Sequence, residues 1–295
     1  MISAISNASS INATRYLNKA NNKLDTIYKR LSSGLRINSA KDDAAGLQIS
    51  NRLTSQIEGL KQGNKNAATG LAFAQTVEGS LDETTEMLQK IRTLANQAAT
   101  GTNTSAERNA IQAEVTQLCS EITRIACKTT FAGQKVLAGK NNGLVDSNGK
   151  VTLQVGANAN DTISVSLSSG FSLKGIGSNS NVGTSALTTH NGVVSFSVSS
   201  AQSAQTTLKE IDKFIASVDA SRGELGAIQN RLESTISNQE NIIENETTAR
   251  SKIRDTDYAE EAANLTAQNI IQQMASAMLT QGNMRSQLAL SLIAG

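Results

Sequence analysis

The sequence predicts a mainly α fold of long antiparallel helices in a coiled-coil-like bundle, with a small β-hairpin region and discontinuous domains built from paired N- and C-terminal helices. Three observations predict it. Proline is absent from all 295 residues, and proline is the residue that breaks helices at a cost of about 3 kcal/mol. Apolar residues recur at alternating spacings of three and four over most of the chain, the seam of a helix that packs on another helix. Period-two alternation is confined to one short central stretch.

The first seam places Leu17, Ala20, Leu24, Ile27 and Leu31 on one helix face. It stops at Ser32-Ser33-Gly34, where glycine supplies a left-handed cap. A polar connector follows, with Arg36 and Lys41 in it and Asp42 and Asp43 directly before the next helix at Ala44. Two adjacent carboxylates beside cations could serve acid/base or metal chemistry. Capping the free N–H groups and meeting the positive end of the helix dipole accounts for both without catalysis, so a structural joint is expected.

From Ala44 the apolar pattern runs through Ile49, Leu53, Ile57, Leu60, Ala67, Leu71, Ala74, Leu81, Leu88, Ile91 and Leu94 to about Gly101, roughly 85 Å of helix at the standard rise. Thr104 to Glu107 reads as a capping box that starts an antiparallel helix ending near Lys128. Val151, Leu153 and Val155 then alternate, as do Ile163, Val165 and Leu167, placing hairpins in about 131–175. The Ser-, Thr-, Gly- and Asn-rich segment 176–200 reads as loop with one short strand at Val194–Val198. Helical spacing returns with Leu208, Ile211, Ile215, Val218, Leu225, Ile228 and Leu232. It breaks at about Arg250–Asp257 and closes with Leu265, Ile271, Met274, Met278, Leu288 and Leu292.

The layout is palindromic, so the two ends are expected to pair with each other and with other copies. Three regions follow: 1–43 with 250–295 as paired terminal helices and connectors, 44–175 with 201–249 as a long helical rod plus hairpins, and 176–200 as a short surface segment.

Function classes fall away in turn. The single histidine, His190, lies in the loop-rich segment, which leaves no HExxH, Cys/His zinc set or Ser-His-Asp arrangement. No phosphate-cradling glycine motif occurs, and a net charge of +2 with 3% aromatics gives neither duplex tracking nor base stacking its usual equipment. No catalytic residues, metal or cofactor are expected, nor nucleic-acid binding. No run of about 18 apolar residues is present, so membrane insertion is not expected, and the opening residues lack the basic and apolar regions of a cleaved leader. Cys119 and Cys127, eight apart on one helix, would be roughly 12 Å apart, beyond disulfide reach.

The segment LSSGLRINSAKDDAAGLQISNR resembles the N-terminal signature of bacterial flagellin. The resemblance extends through LQKIRTLANQAA, IQAEVTQL and QVGAN, and resumes in LGAIQNRLESTISN and ARSKIRDTDYAEEAANLT. It covers residues 1 to about 175 and about 201 to 295. It implies a secreted structural subunit of the flagellar filament, with terminal helices forming an inner tube, longer helices an outer one, and almost no variable outer domain. Leu24, Ile27, Leu31, Met274, Met278, Leu288 and Leu292 would be inner-tube anchors. The implied route is export, unfolded, through the flagellar type III pathway. The implied partners are other copies, the flagellar cap protein, hook–filament junction proteins and a flagellin export chaperone. A hook–filament junction protein and a secreted coiled-coil binding module are the alternatives. In relatives of this kind proline and apolar residues stand near the C-terminus, where this chain has Arg285 and Ser286; Arg285 is expected to face a hydrated channel or a carboxylate of another copy. Ser178, Ser180, Thr184 and Ser185 are candidate glycosylation positions.

Resemblance to flagellins detected by the vertebrate Toll-like flagellin receptor places Gln89, Lys90, Arg92, Leu94 and Glu114 at the matching positions. Geometry supports a shared surface independently: with a reversal at about Thr102, positions 90 and 114 are equidistant from the turn. The plainer alternative makes Leu94 a seam residue and Lys90 with Glu114 an exposed ion pair.

Overall fold

The computed structural model describes residues 7–141, 143–167, 170–179, 187–190 and 193–294; the side chains at 179, 190, 193 and 285–294 lie outside that description. In chain order the elements are α1 (Ala8–Ser33), α2 (Ala44–Ala99), α3 (Ser105–Lys128), β1 (Thr130–Phe131), β2 (Gln134–Lys135), β3 (Lys150–Gln154), β4 (Thr162–Ser166), α4 (Leu173–Asn179), β5 (Leu187–His190), β6 (Val193–Phe196), α5 (Ala201–Arg254) and α6 (Tyr258–Ala294). The class is mainly α with small antiparallel strand pairs, as the periodicities predict. Two compact units form, a terminal one of residues 1–57 with 244–295 and a central one of residues 58–243.

In the terminal unit α1 and α6 pair antiparallel. The Asn7 side chain accepts from the Ser10 N–H to start α1, and its Nδ2 donates to the Gly282 carbonyl at 2.8 Å. Gln272 Nε2 donates to Asn21 Oδ1 at 2.7 Å, Arg30 Nη1 lies 3.5 Å from Glu261 Oε1, and the Thr256 N–H donates to the Gly34 carbonyl at 3.1 Å. Each link joins residues whose numbers sum to about 290, so polar contacts hold one register along the pair. Ala13, Ala20, Leu24, Ile27 and Ala275 are buried beside them. Gly34 adopts φ 71° and donates its N–H to the Arg30 carbonyl, the left-handed cap expected of it.

In the central unit α2, α3 and α5 share one core with the strands. Val77, Leu81, Leu88 and Ile91 meet Val115, Cys119 and Ile122 and Ile211, Val218 and Leu232, all inaccessible to solvent. Phe196 stacks edge-on against Phe214 with centroids 5.1 Å apart, a favoured aromatic geometry. The Thr104–Glu107 capping box is present in both directions, and both cysteines are free. Val151 pairs with Val165 and Leu153 with Ile163, the hairpin the alternation predicts.

The Ser/Thr-rich segment corrects the sequence reading. The stretch expected to be loop with one strand at Val194–Val198 contains the end of α4 and a two-stranded hairpin, β5–β6, with Leu187 opposite Phe196. Short polar strands escape periodicity because only Phe196 and its neighbours carry the buried signal; residues 180–186 lie outside the described residues.

Candidate interaction surfaces

The connector between α1 and α2 is tied to the break between α5 and α6. The Arg36 N–H donates to the Arg254 carbonyl at 2.7 Å, and its Nη2 donates to the Ile253 carbonyl at 2.6 Å. Leu35 and Asp255 form an isolated antiparallel bridge. The two breaks of the palindrome are therefore one joint. The carboxylates divide their work, which corrects the shared capping role expected of them. Asp43 Oδ1 accepts from the Gly46 N–H at 2.9 Å and caps α2. Asp42 caps nothing: its Oδ2 accepts from the N–H groups of Ser39 and Asn38 and from the Ser39 hydroxyl, closing the loop instead. Those bonds, led by the Ser39 N–H, hold the Asp42 carboxyl below its ordinary range. Lys41 is exposed.

On the central unit Lys90 Nζ lies 3.0 Å from Glu114 Oε1, across α2 and α3. Arg92 Nε donates to Asp212 Oδ1 on α5 at 2.7 Å. Gln89 is exposed, and Leu94, half-buried, packs against the core while reaching the surface. Asp212 was not among the residues expected here. Its partner lies 120 positions away, and a lone aspartate on a long helix gives no local signal of it.

The third surface is on α6. Although one flank of this helix packs on α1, Ile270, Ile271, Met274, Met278 and Met284 remain 45–65% exposed. Met274 and Met278 thus stay mostly open within the chain, unlike Leu24 and Ile27; Leu31 is half-buried. The three tyrosines of the chain, Tyr16, Tyr28 and Tyr258, are also more than half exposed on the terminal unit. Among the remaining candidates Ser178 is exposed and donates to the Lys174 carbonyl. Ser180, Thr184 and Ser185 lie outside the described residues, as do the side chains of Arg285, Leu288 and Leu292.

Among the described residues no group of His, Cys, Asp and Glu could hold a metal ion, and no helix is long and apolar enough to cross a membrane. What the described residues expose instead is apolar side chains on α6 and ion pairs on the central unit.

Comparison with known proteins agrees. Residues 5–142 match the bacterial flagellin N-terminal helical region and residues 208–293 the C-terminal helical region. A flagellin of Halalkalibacterium halodurans is 39% identical over 97% of this chain and 98% of its own length. Flagellin D of Vibrio anguillarum is 35% identical over 97% and 98%. A solved structure described as a flagellar hook-associated protein of Vibrio parahaemolyticus shares the fold, with TM-score 0.55 and 14% identity over 72% of this chain and 100% of that one. The palindromic helices, the joint and these full-length relatives lead to one conclusion: the chain belongs to the bacterial flagellin family, the extracellular structural subunits that assemble into the flagellar filament, and it is not an enzyme.

Proposed function

We propose that the filament of this chain is held together mainly through the exposed apolar face of α6, seated against neighbouring copies. Residues 1–43 with 250–295 form its inner layer and 44–175 with 201–249 its outer layer, with 176–200 a surface segment anchored by the buried Ile176, Phe196 and Val198. The observation that carries this reading is that Met274 and Met278 stay more than half exposed on a helix already paired with α1. Burying such a side chain stabilises by about 1.5–3 kcal/mol, and a contact repeated head to tail without closing generates a helical tube. The connector, from Gly34 through Arg36 and Lys41 to Asp43, is a structural joint held to the α5–α6 break by Arg36 and Leu35.

Export unfolded through the flagellar type III pathway, escorted by a chaperone and finished beneath a cap protein on a base of junction proteins, suits a chain with two free thiols and no proline. There is no disulfide to open and no slow prolyl isomerisation to delay refolding. A second reading concerns the same chain released as monomer: Gln89, Lys90, Arg92, Leu94 and Glu114 form a patch read by the vertebrate Toll-like flagellin receptor. The Lys90–Glu114 contact supports it by bringing the two helices' positions together.

Electron microscopy of purified protein seeded with short filaments tests the assembly reading. Long filaments are expected from the parent chain; a chain that stays monomeric under seeding would refute it.

A further inference from the structure

We propose that the groove between α3 and α4 is a binding site for a small, multiply charged anion of the phosphate or sulfate class. The groove encloses about 380 Å³. Arg124 and Lys128 rise from one face of α3, one turn apart, and Lys174 comes from α4, with Thr123, Cys127 and Ser172 between them.

What sets these cations apart is that three of them, from two elements, line one groove. Lys128 and Lys174 pair with no carboxylate among the described residues. Arg124 alone is engaged, by Glu121 through Nε at 2.8 Å and Nη2 at 2.6 Å, which leaves Nη1 free to donate. Glu121 already offsets the Arg124 charge, so the charge left to balance is that of Lys128 and Lys174, which an anion between them neutralises. Hydrogen-bonding capacity is also present. The Ser172 hydroxyl accepts from the Gly175 N–H at 3.2 Å, so its own proton is available to a ligand. Guanidinium and ammonium groups together with the Ser172 hydroxyl suit a phosphoryl or sulfuryl oxygen cluster, the Thr123 hydroxyl already donating to the Cys119 carbonyl.

Cys127 supplies a reporter, since it is half-buried in the groove wall, whereas Cys119 is sealed in the core and pushed up to about 12 by burial. In the full-length protein the rate of Cys127 with an anionic aromatic disulfide, dithionitrobenzoate, is compared with that of a neutral one, dithiodipyridine. In both reactions the Cys127 thiolate attacks one reagent sulfur, the S–S bond breaks, a mixed disulfide forms and an aromatic thiolate leaves. A cationic cleft concentrates anions by at least about tenfold. The anionic-to-neutral rate ratio should therefore fall by about that factor in Lys128→Gln/Lys174→Gln and be retained in Lys128→Arg/Lys174→Arg, with circular dichroism unchanged. Millimolar pyrophosphate should suppress the anionic reagent alone, and sodium chloride at equal ionic strength should not. Calorimetric titration with pyrophosphate, independent of the thiol, should show binding to the parent and its loss in the Gln variant. An unchanged ratio in the Gln variant, suppression by sodium chloride as strong as by pyrophosphate, or no calorimetric binding to the parent would each overturn the site.

Discussion

Lys90 and Glu114 face each other across α2 and α3 at 3.0 Å, both about half exposed. An ion pair so open to water contributes at most about 1 kcal/mol to folding, so its value to the molecule lies in what the surface presents. Glu114→Ala should leave thermal unfolding of the monomer nearly unchanged. If the patch is a receptor anchor, Glu114→Ala and Leu94→Ala should each cost about 2 kcal/mol of binding, roughly 30-fold in potency, measured as receptor activation by folded monomer. Unchanged potency in both would leave the pair as ordinary surface charge.

The capping box predicts an acid-side loss of stability. Bonds from the Thr104 N–H and hydroxyl hold the Glu107 carboxyl below its ordinary range, and the Ser39 loop does the same for Asp42. A carboxyl lowered in the folded state stabilises fully above its unfolded value and loses that contribution as pH falls through the folded one. Stability should therefore decline below about pH 4, as these groups take up protons. Glu107→Gln should flatten that decline, and Thr104→Ala should cost about 1 kcal/mol at neutral pH; urea unfolding across pH measures both. An E107Q profile parallel to the parent's would contradict the assignment.

What could be read in the sequence was local. Gly34, the Thr104–Glu107 box and the alternation of Val151, Leu153 and Val155 each announce themselves within a few residues, so those elements follow from spacing, whereas the Val151/Val165 register comes only with the structure. Contacts between distant segments had no such signal. Arg92 finds Asp212, and Leu35 finds Asp255, only because the chain doubles back. Asp42 shows a subtler limit: its position beside Asp43 makes both look like caps, but loop geometry turns one inward to Ser39. The closing helix is apolar on more than one side, so heptad counting finds its residues without telling which flank meets α1.

Gly63 and Gly79 make a contrasting pair within α2. A methyl group at Gly63 would overlap the Val155 carbonyl oxygen, where the β3–β4 hairpin closes on the helix, while at Gly79 nothing lies within 4 Å. Gly63→Ala should destabilise by about 1–3 kcal/mol, as overpacking does. Gly79→Ala should stabilise by about 0.4–1 kcal/mol through the unfolded chain. Equal effects in chemical denaturation would mean that the hairpin does not sit against Gly63.

The two apolar sets of the terminal unit should separate folding from assembly. Leu24 and Ile27 are 4% and 7% exposed, whereas Met274 and Met278 are 57% and 65% exposed. Removing a buried leucine leaves a cavity within the chain, so Leu24→Ala should weaken the α1–α6 pair itself by about 2–5 kcal/mol. The methionines have little to lose inside the monomer. Met274→Ser/Met278→Ser should leave monomer helicity and its melting unchanged, and should instead raise the lowest concentration that supports seeded growth. With about 60% of each side chain left to cover, each contributes about 1–2 kcal/mol, and the pair at least about 2 kcal/mol per subunit, about thirtyfold or more in that concentration. Sedimentation of seeded samples measures it. A double variant that polymerises at the parent's concentration would place the contacts between copies on another face, with the three exposed tyrosines as the next surface to change.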